Sequence, residues 1–374
     1  MKRRDFLRAA APGPQDAPAP ETATEQATTG EAPAVQTMPR VMWRLASSFP
    51  NGLDTIYGAA EIMARRVEAL TEGRFRIRSY PAGELVPALE VLSAVQNGTV
   101  QVGHSASYYF QGKNPALVFD CTIPFGLSAR QLNAWFYHGD GLALTREMFA
   151  DFNVINFPGG NTGTQMGGWF RREIGSLQDL RGLKMRIPGL GGEVMNRLGV
   201  TVQVIPAGEI YLALERGAID ATEWVGPYDD EKLGFQEIVQ DYYYPGWWEP
   251  GPGLSFYVNR DAWDALPSAY REAFETAAAE ANEHMLALYD ARNGPALRRL
   301  VEGGVRLHPF PEEVMAEARQ ITEELLEESA SDPAYRTVYT AYKAWRDDAY
   351  RWFGTAELAY GDYAFGSDAS PRNV

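Results

Sequence analysis

One tetrapeptide occurs twice in this chain in the same setting. Pro81-Ala-Gly-Glu84 and Pro206-Ala-Gly-Glu209 each follow a run that reads as a strand and precede one that reads as a helix. Ahead of the first copy, Val41 to Ala46 reads as a strand, and Ile56, Ala60, Met63, Val67 and Leu70 recur at helical spacing up to Gly73. Phe75 and Ile77 then alternate with Arg74, Arg76 and Arg78, a strand with one wet face. A helix through Leu89, Leu92 and Val95 stops at Asn97-Gly98, before a strand from Val100 to Val102. Around the second copy, strands at Leu183 to Ile187, Val200 to Ile205 and Ala218 to Thr222 enclose helices at Gly192 to Leu198 and Ile210 to Arg216. Such alternation predicts an α/β chain with mostly parallel sheets. The duplication predicts two related lobes; if Gly98 corresponds to Gly217, His104-Ser105 align with Glu223-Trp224.

In open α/β sheets ligands bind beyond the carboxyl ends of the strands, where helix N-termini also point. Three segments meet that condition: Arg186 ahead of Pro188-Gly-Leu-Gly-Gly192, Glu223-Trp224, and His104 to Tyr109. They are expected to converge on one cleft. Arg186 offers a planar fork of donors that matches a carboxylate. Glu223 beside it would repel such a ligand unless a hard cation, Na⁺ or Ca²⁺, lies between them. Gln165 is a neutral oxygen donor of the right kind, and Trp224 can supply a carbonyl oxygen and an aromatic wall. The plainer alternative is a structural salt bridge between Arg186 and Glu223.

Composition narrows the partners. With 34 Lys and Arg against 49 Asp and Glu, the net charge of -15 repels nucleic acid and anionic lipid. A carboxylate must therefore be held by local groups. The single cysteine, Cys121, allows no internal disulfide and reads as a small buried hydrophobe, and four scattered histidines suggest no zinc cluster. Arg3 and Arg4 followed by Phe6 and Leu7 resemble a twin-arginine export signal, although the apolar run after them is only Ala9 to Ala11. Residues 12–40, rich in Pro, Ala, Thr and Glu without an aromatic, read as a disordered linker.

The stretch from Gln165-Met-Gly-Gly-Trp-Phe170 through Gly182-Leu-Lys-Met-Arg-Ile-Pro-Gly189 and Glu223-Trp-Val-Gly-Pro-Tyr228 to Tyr242-Tyr-Tyr-Pro-Gly-Trp247 resembles the DctP-type solute-binding subunit of tripartite ATP-independent periplasmic (TRAP) transporters. Within that family the chain is most similar to the branch that binds 2-oxo acids or lactate with a metal ion. The resemblance covers roughly residues 41–365. It implies a two-lobed, periplasmic-binding-protein-like fold of the class II type, with mixed, mostly parallel sheets, a long lobe-spanning helix and an extra C-terminal helix. Carried over residue by residue, it implies that Arg186 clamps the substrate carboxylate and that Gln165 touches substrate and metal. It also implies that Glu223 and the Trp224 main chain bind the metal, and that Glu249, Tyr108 and Tyr109 complete the substrate site. Aromatic core packing is the plainer reading for Tyr108, Tyr109 and Trp248.

The expected layout is a leader and linker over residues 1–40, one lobe from 41–160 plus 255–300, the other from 161–254 plus 301–330, and a C-terminal helical extension over 331–374. Ser268 to Leu300 is the candidate lobe-spanning helix, expected to bend or split at Gly294-Pro295. The extension carries Val338, Tyr342, Trp345 and Trp352, and in the branch resembled a C-terminal helix swaps between subunits, so a homodimer is expected. The expected function is periplasmic capture of a monocarboxylate such as pyruvate or lactate, with Na⁺ or Ca²⁺, for delivery to the membrane subunits. Two alternatives stand beside it: a metal-assisted enzyme acting on 2-oxo acids, and a carboxylate sensor without transport.

Overall fold

The alternation in the sequence becomes eleven strands among the residues, 38–366, that the computed structural model describes. The expected twin-arginine-like leader, and the expected linker as far as residue 37, lie outside the described residues. The strands are β1 (Val41–Ser47), β2 (Phe75–Tyr80), β3 (Val102–Ser105), β4 (Val154–Asn161), β5 (Trp169–Phe170), β6 (Lys184–Arg186), β7 (Thr201–Gln203), β8 (Ala221–Thr222), β9 (Asp241–Tyr244), β10 (Gly253–Asn259) and β11 (Arg306–Pro309). Trp43 and Leu45 on β1 and Phe75 and Ile77 on β2 are buried, while Arg44, Arg76 and Arg78 stay wet, as a period of two dictates. Trp43 meets Phe75 edge-on, with ring centres 4.9 Å apart.

The strands form two mixed sheets, β2-β1-β3-β10-β4 and β11-β9-β5-β8-β6-β7. Read outward from β2 and from β7, the sheets share one order. In each, the first three strands are parallel (β2, β1, β3 and β7, β6, β8) and the fourth (β10 or β5) runs antiparallel to them. The duplication in the sequence is thus a duplication of topology, with β3 equivalent to β8. Its marker is less uniform: Pro81-Ala-Gly-Glu84 is a turn with Gly83 at φ +81, whereas Pro206 precedes a helix, Ala207–Glu215, that begins inside the tetrapeptide. Two crossing segments join the sheets, β4 to β5 and β9 to β10, and both sheets belong to one compact unit that starts at Pro39.

Ser268–Glu302 is a 35-residue helix, about 50 Å long. It packs on the helix Gly58–Leu70 and on β4 of the first half, and on the helix Pro227–Leu233 of the second. Contrary to the expectation of a split, the chain stays helical through Pro295. The lost hydrogen bond and ring clash cost about 3 kcal/mol, and the burial of Tyr289, Ala296 and Leu300 on either side offsets that cost.

The helix Pro333–Phe353 starts at an Asp332 side chain that accepts from Tyr335 N at 2.8 Å, with Pro333 in the first turn. Tyr335, Tyr339 and Tyr342 then pack around Phe119. Beyond Phe353 a last helix, Ala359–Phe365, has no buried residue. Among the described residues no helix is long and apolar enough to cross a membrane.

Candidate functional site

Arg186 is the last residue of β6, and its side chain is 1% exposed. Its Nε donates to Ile205 O at 3.1 Å, Nη1 meets Glu223 Oε1, and Nη2 donates to Tyr109 Oη at 3.3 Å. The guanidinium also lies 5.1 Å from the Trp224 ring centre. Glu223 and Trp224 follow β8, the strand beside β6. Tyr108 and Tyr109 come from the opposite half, in the turn Ser107–Phe110 after β3. Gln165 and Glu249 lie on the two crossing segments, which are tied together where Gln165 N donates to Glu249 O at 3.1 Å.

Tyr108, Tyr109, Gln165 and Trp224 line a small cavity of about 10 Å³ together with Phe49, Ile56 and Leu254, so the halves are drawn close together around it. The approach is tight enough to need a glycine. A Cβ on Gly189, which sits at φ +65, would lie 3.1 Å from Tyr108 Cβ across the cleft.

The charges do not balance. Glu223 and Glu249 are both buried, and the Arg186 guanidinium pairs with Glu223. Burial pushes the Glu249 carboxyl well above the usual carboxylate range, and the nearby Glu223 pushes it further, while Arg186, Tyr108 and Gln165 pull it back. Burial likewise raises Glu223, against the pull of Arg186. Three buried oxygens of this cluster have no hydrogen-bond partner: Gln165 Oε1, Glu223 Oε2 and Glu249 Oε2. Orphaned buried acceptors are costly, and a hard cation is the group that an all-oxygen donor set of this kind suits.

The direct Arg186–Glu223 contact is the one the plainer reading of the sequence describes. That contact leaves Glu223 Oε2, Gln165 Oε1 and Glu249 Oε2 without a partner. The structure brings all seven sequence-designated residues, Tyr108, Tyr109, Gln165, Arg186, Glu223, Trp224 and Glu249, to the same cavity or into contact with its lining. His104 stays outside it. It is fully buried one layer behind, between Phe49 and Phe256 at ring distances of 5.3 and 4.9 Å, and burial lowers it to about 3. Phe49 was not singled out in the sequence, yet it follows β1 by two residues and meets the same strand-end condition as Arg186. A second cluster joins Glu173, just after β5, to Asp241 on β9 and His308 on β11, where Arg306 already pairs with Asp241 at 2.8 Å.

Two sheets of one topology facing each other across a buried, charged cleft, bridged by crossing segments and one long helix, define a two-lobed ligand-binding protein. Residues 46–332 match the family described as bacterial extracellular solute-binding protein, family 7 (DctP), and the chain belongs to this family, the solute receptors of TRAP transporters. A monocarboxylate 2-oxoacid-binding periplasmic protein of Nostoc sp. is 54% identical over 369 residues, which is 98% of this chain and 100% of the relative. A TRAP transporter solute-binding protein of Bordetella bronchiseptica, solved as a mixed-occupancy dimer with calcium and picolinate in one site and the other site apo, is 49% identical. It superposes with a TM-score of 0.87 over 88% of this chain and 99% of that one. A TRAP periplasmic solute-binding protein of Pseudoalteromonas atlantica with bound sodium and pyruvate is 40% identical, with a TM-score of 0.83 over 86% of this chain and 98% of that one.

Proposed function

We propose that this protein captures a small monocarboxylate, a 2-oxo acid such as pyruvate or a 2-hydroxy acid such as lactate, together with Na⁺ or Ca²⁺, and delivers it to the membrane subunits of a TRAP transporter. The observation that carries this reading is the set of three unpartnered buried oxygens, Gln165 Oε1, Glu223 Oε2 and Glu249 Oε2, beside a buried guanidinium. Arg186 receives the ligand carboxylate with two charge-assisted bonds. Gln165, Glu223 and the Trp224 carbonyl hold the cation, whose charge lets a carboxylate sit beside Glu223. Glu249 lies at the same center through its contacts with Tyr108 and Gln165. Tyr108 and Tyr109 cover the site from the opposite half, and Trp224 walls it. The Nostoc, Bordetella and Pseudoalteromonas proteins support the ligand class and the pairing of acid with cation.

The test is thermal denaturation with pyruvate and lactate, with and without Ca²⁺ or Na⁺ at fixed ionic strength. A ligand at 100 times its dissociation constant adds about 2.7 kcal/mol of stability. The expected result is a rise of several degrees with acid and cation together, and a much smaller one with either alone. Equal rises with and without added cation in chelator-treated protein would remove the cation from the reading.

Location in the periplasm after export by the twin-arginine-like leader is part of the same proposal, and so is a homodimer. Trp352, 63% exposed, lines a groove of about 670 Å³ with Ala134, Leu286, Trp345 and Phe353, and Tyr363 on the last helix is 91% exposed. The Bordetella protein, solved as a dimer, supports the homodimer. A chain ending at Phe353 loses no buried side chain of the final helix and is expected to sediment as a monomer while the full chain sediments as a dimer. Equal sedimentation of the two chains would remove the terminal helix from the interface.

A further inference from the structure

Phe49 and Ile56, which line the cavity from the first half, flank an exposed carboxylate, Asp54, in the loop before the helix Gly58–Leu70. On the second half, Trp224 and Val225 line the same cavity, and the chain after them forms the helix Pro227–Leu233. Asp54 joins these two segments at the mouth of the cleft: Oδ1 accepts from Lys232 Nζ, and Oδ2 accepts from Tyr228 Oη at 3.1 Å. The Tyr228 ring sits between two cations, Lys232 Nζ at 4.3 Å and the Arg292 guanidinium at 5.7 Å from its center. The helix is held from behind as well. Asn293 Oδ1 accepts from Tyr228 N at 3.1 Å, and Asp229 Oδ2 accepts from Tyr289 Oη at 2.7 Å and from Trp224 Nε1 at 3.4 Å. The segment that carries Glu223 and Trp224 is therefore fixed to the long helix on one side and to Asp54 on the other.

We propose that Asp54 is a positioning residue that clasps the two halves over the bound ligand, setting how long the ligand is held without touching it. The clasp rests on the reading of the protein as a receptor whose halves close on a small acid. A bond made across the mouth forms only after the halves meet, so it slows opening and leaves the first encounter unchanged. Lys232 is 29% and Asp54 58% exposed at the side chain, so the pair is partly screened and its effect is moderate.

The test uses the full chain with pyruvate and Ca²⁺, following tryptophan fluorescence in stopped flow. Asp54→Asn keeps the shape and removes the charge, and Lys232→Met removes the partner. Each is expected to raise the pyruvate dissociation rate about threefold to fivefold with the association rate nearly constant. The double variant is expected to match the single ones, since both remove one interaction. In wild type the dissociation rate is expected to rise with salt, and in Asp54→Asn that dependence is expected to fade. The ligand-free melting temperature is expected to stay within a degree or two, which separates a clasp from a general structural bridge. Wild type binding pyruvate while the variants release it at the wild-type rate, or additive effects in the double variant, would overturn the clasp alone. Wild type failing to bind any small monocarboxylate would overturn the receptor reading and the clasp with it.

Discussion

Arg186→Ala is expected to weaken pyruvate binding by about a hundredfold or more. Two charge-assisted bonds in a desolvated cleft contribute roughly 1.5 to 3 kcal/mol each, and 1.4 kcal/mol is a factor of ten. The variant also leaves Glu223 without its cationic partner. Removing one member of a buried pair ordinarily costs several kcal/mol, but burial already pushes Glu223 toward its neutral form, so protonation can absorb part of that loss. Arg186→Lys restores charge without the fork and is expected to recover only part of the affinity. Calorimetric titration of the variants, with circular dichroism to confirm the fold, checks this. Near wild-type affinity in the alanine variant would remove Arg186 from the site.

Glu223→Gln separates the two readings of the buried pair by the sign of its effect. If Glu223 serves only to neutralise Arg186, the glutamine frees the guanidinium and tightens acid binding. If Glu223 Oε2, unpartnered in the structure, holds the cation, the substitution removes a negative oxygen from it. Binding is then expected to weaken about tenfold or more, and most of the gain from added Ca²⁺ or Na⁺ is expected to vanish. Titration of pyruvate at two cation concentrations and fixed ionic strength reads both quantities. Tighter, cation-independent binding would leave the salt bridge standing alone.

Arg186 and Glu223 were legible because their address is local: each stands at the end of a short strand, and strand ends in such sheets face the ligand. The order of the sheets was foreshadowed by the repeated strand-turn-helix grammar. His104 met the same local condition and still lies a layer too deep, because Phe49 from the segment after β1 covers it, and which side chain lies in front depends on packing between distant segments. The continuity of the helix at Pro295 is of the same kind, since a local penalty is overridden by burial on both sides. β5, two residues long, carries no periodicity at all, and only its pairing with β8 and β9 makes it a strand.

The two sheets share a strand order but not a chemistry, and that asymmetry has a consequence for timing. Arg186, Glu223, Gln165 and Glu249 all lie on the second sheet or the crossing segments, while the first sheet's side offers Phe49, Ile56 and two tyrosines. One jaw thus bears the ionic grip, and the other contributes mainly an apolar cover. Prising the cover away breaks contacts that are individually weak and easily remade, and it lets water reach the ionic grip, weakening it in turn. On the proposed function, drawing the cover away would loosen a bound acid without competition for the guanidinium, so retention and surrender would be governed from opposite faces of the molecule.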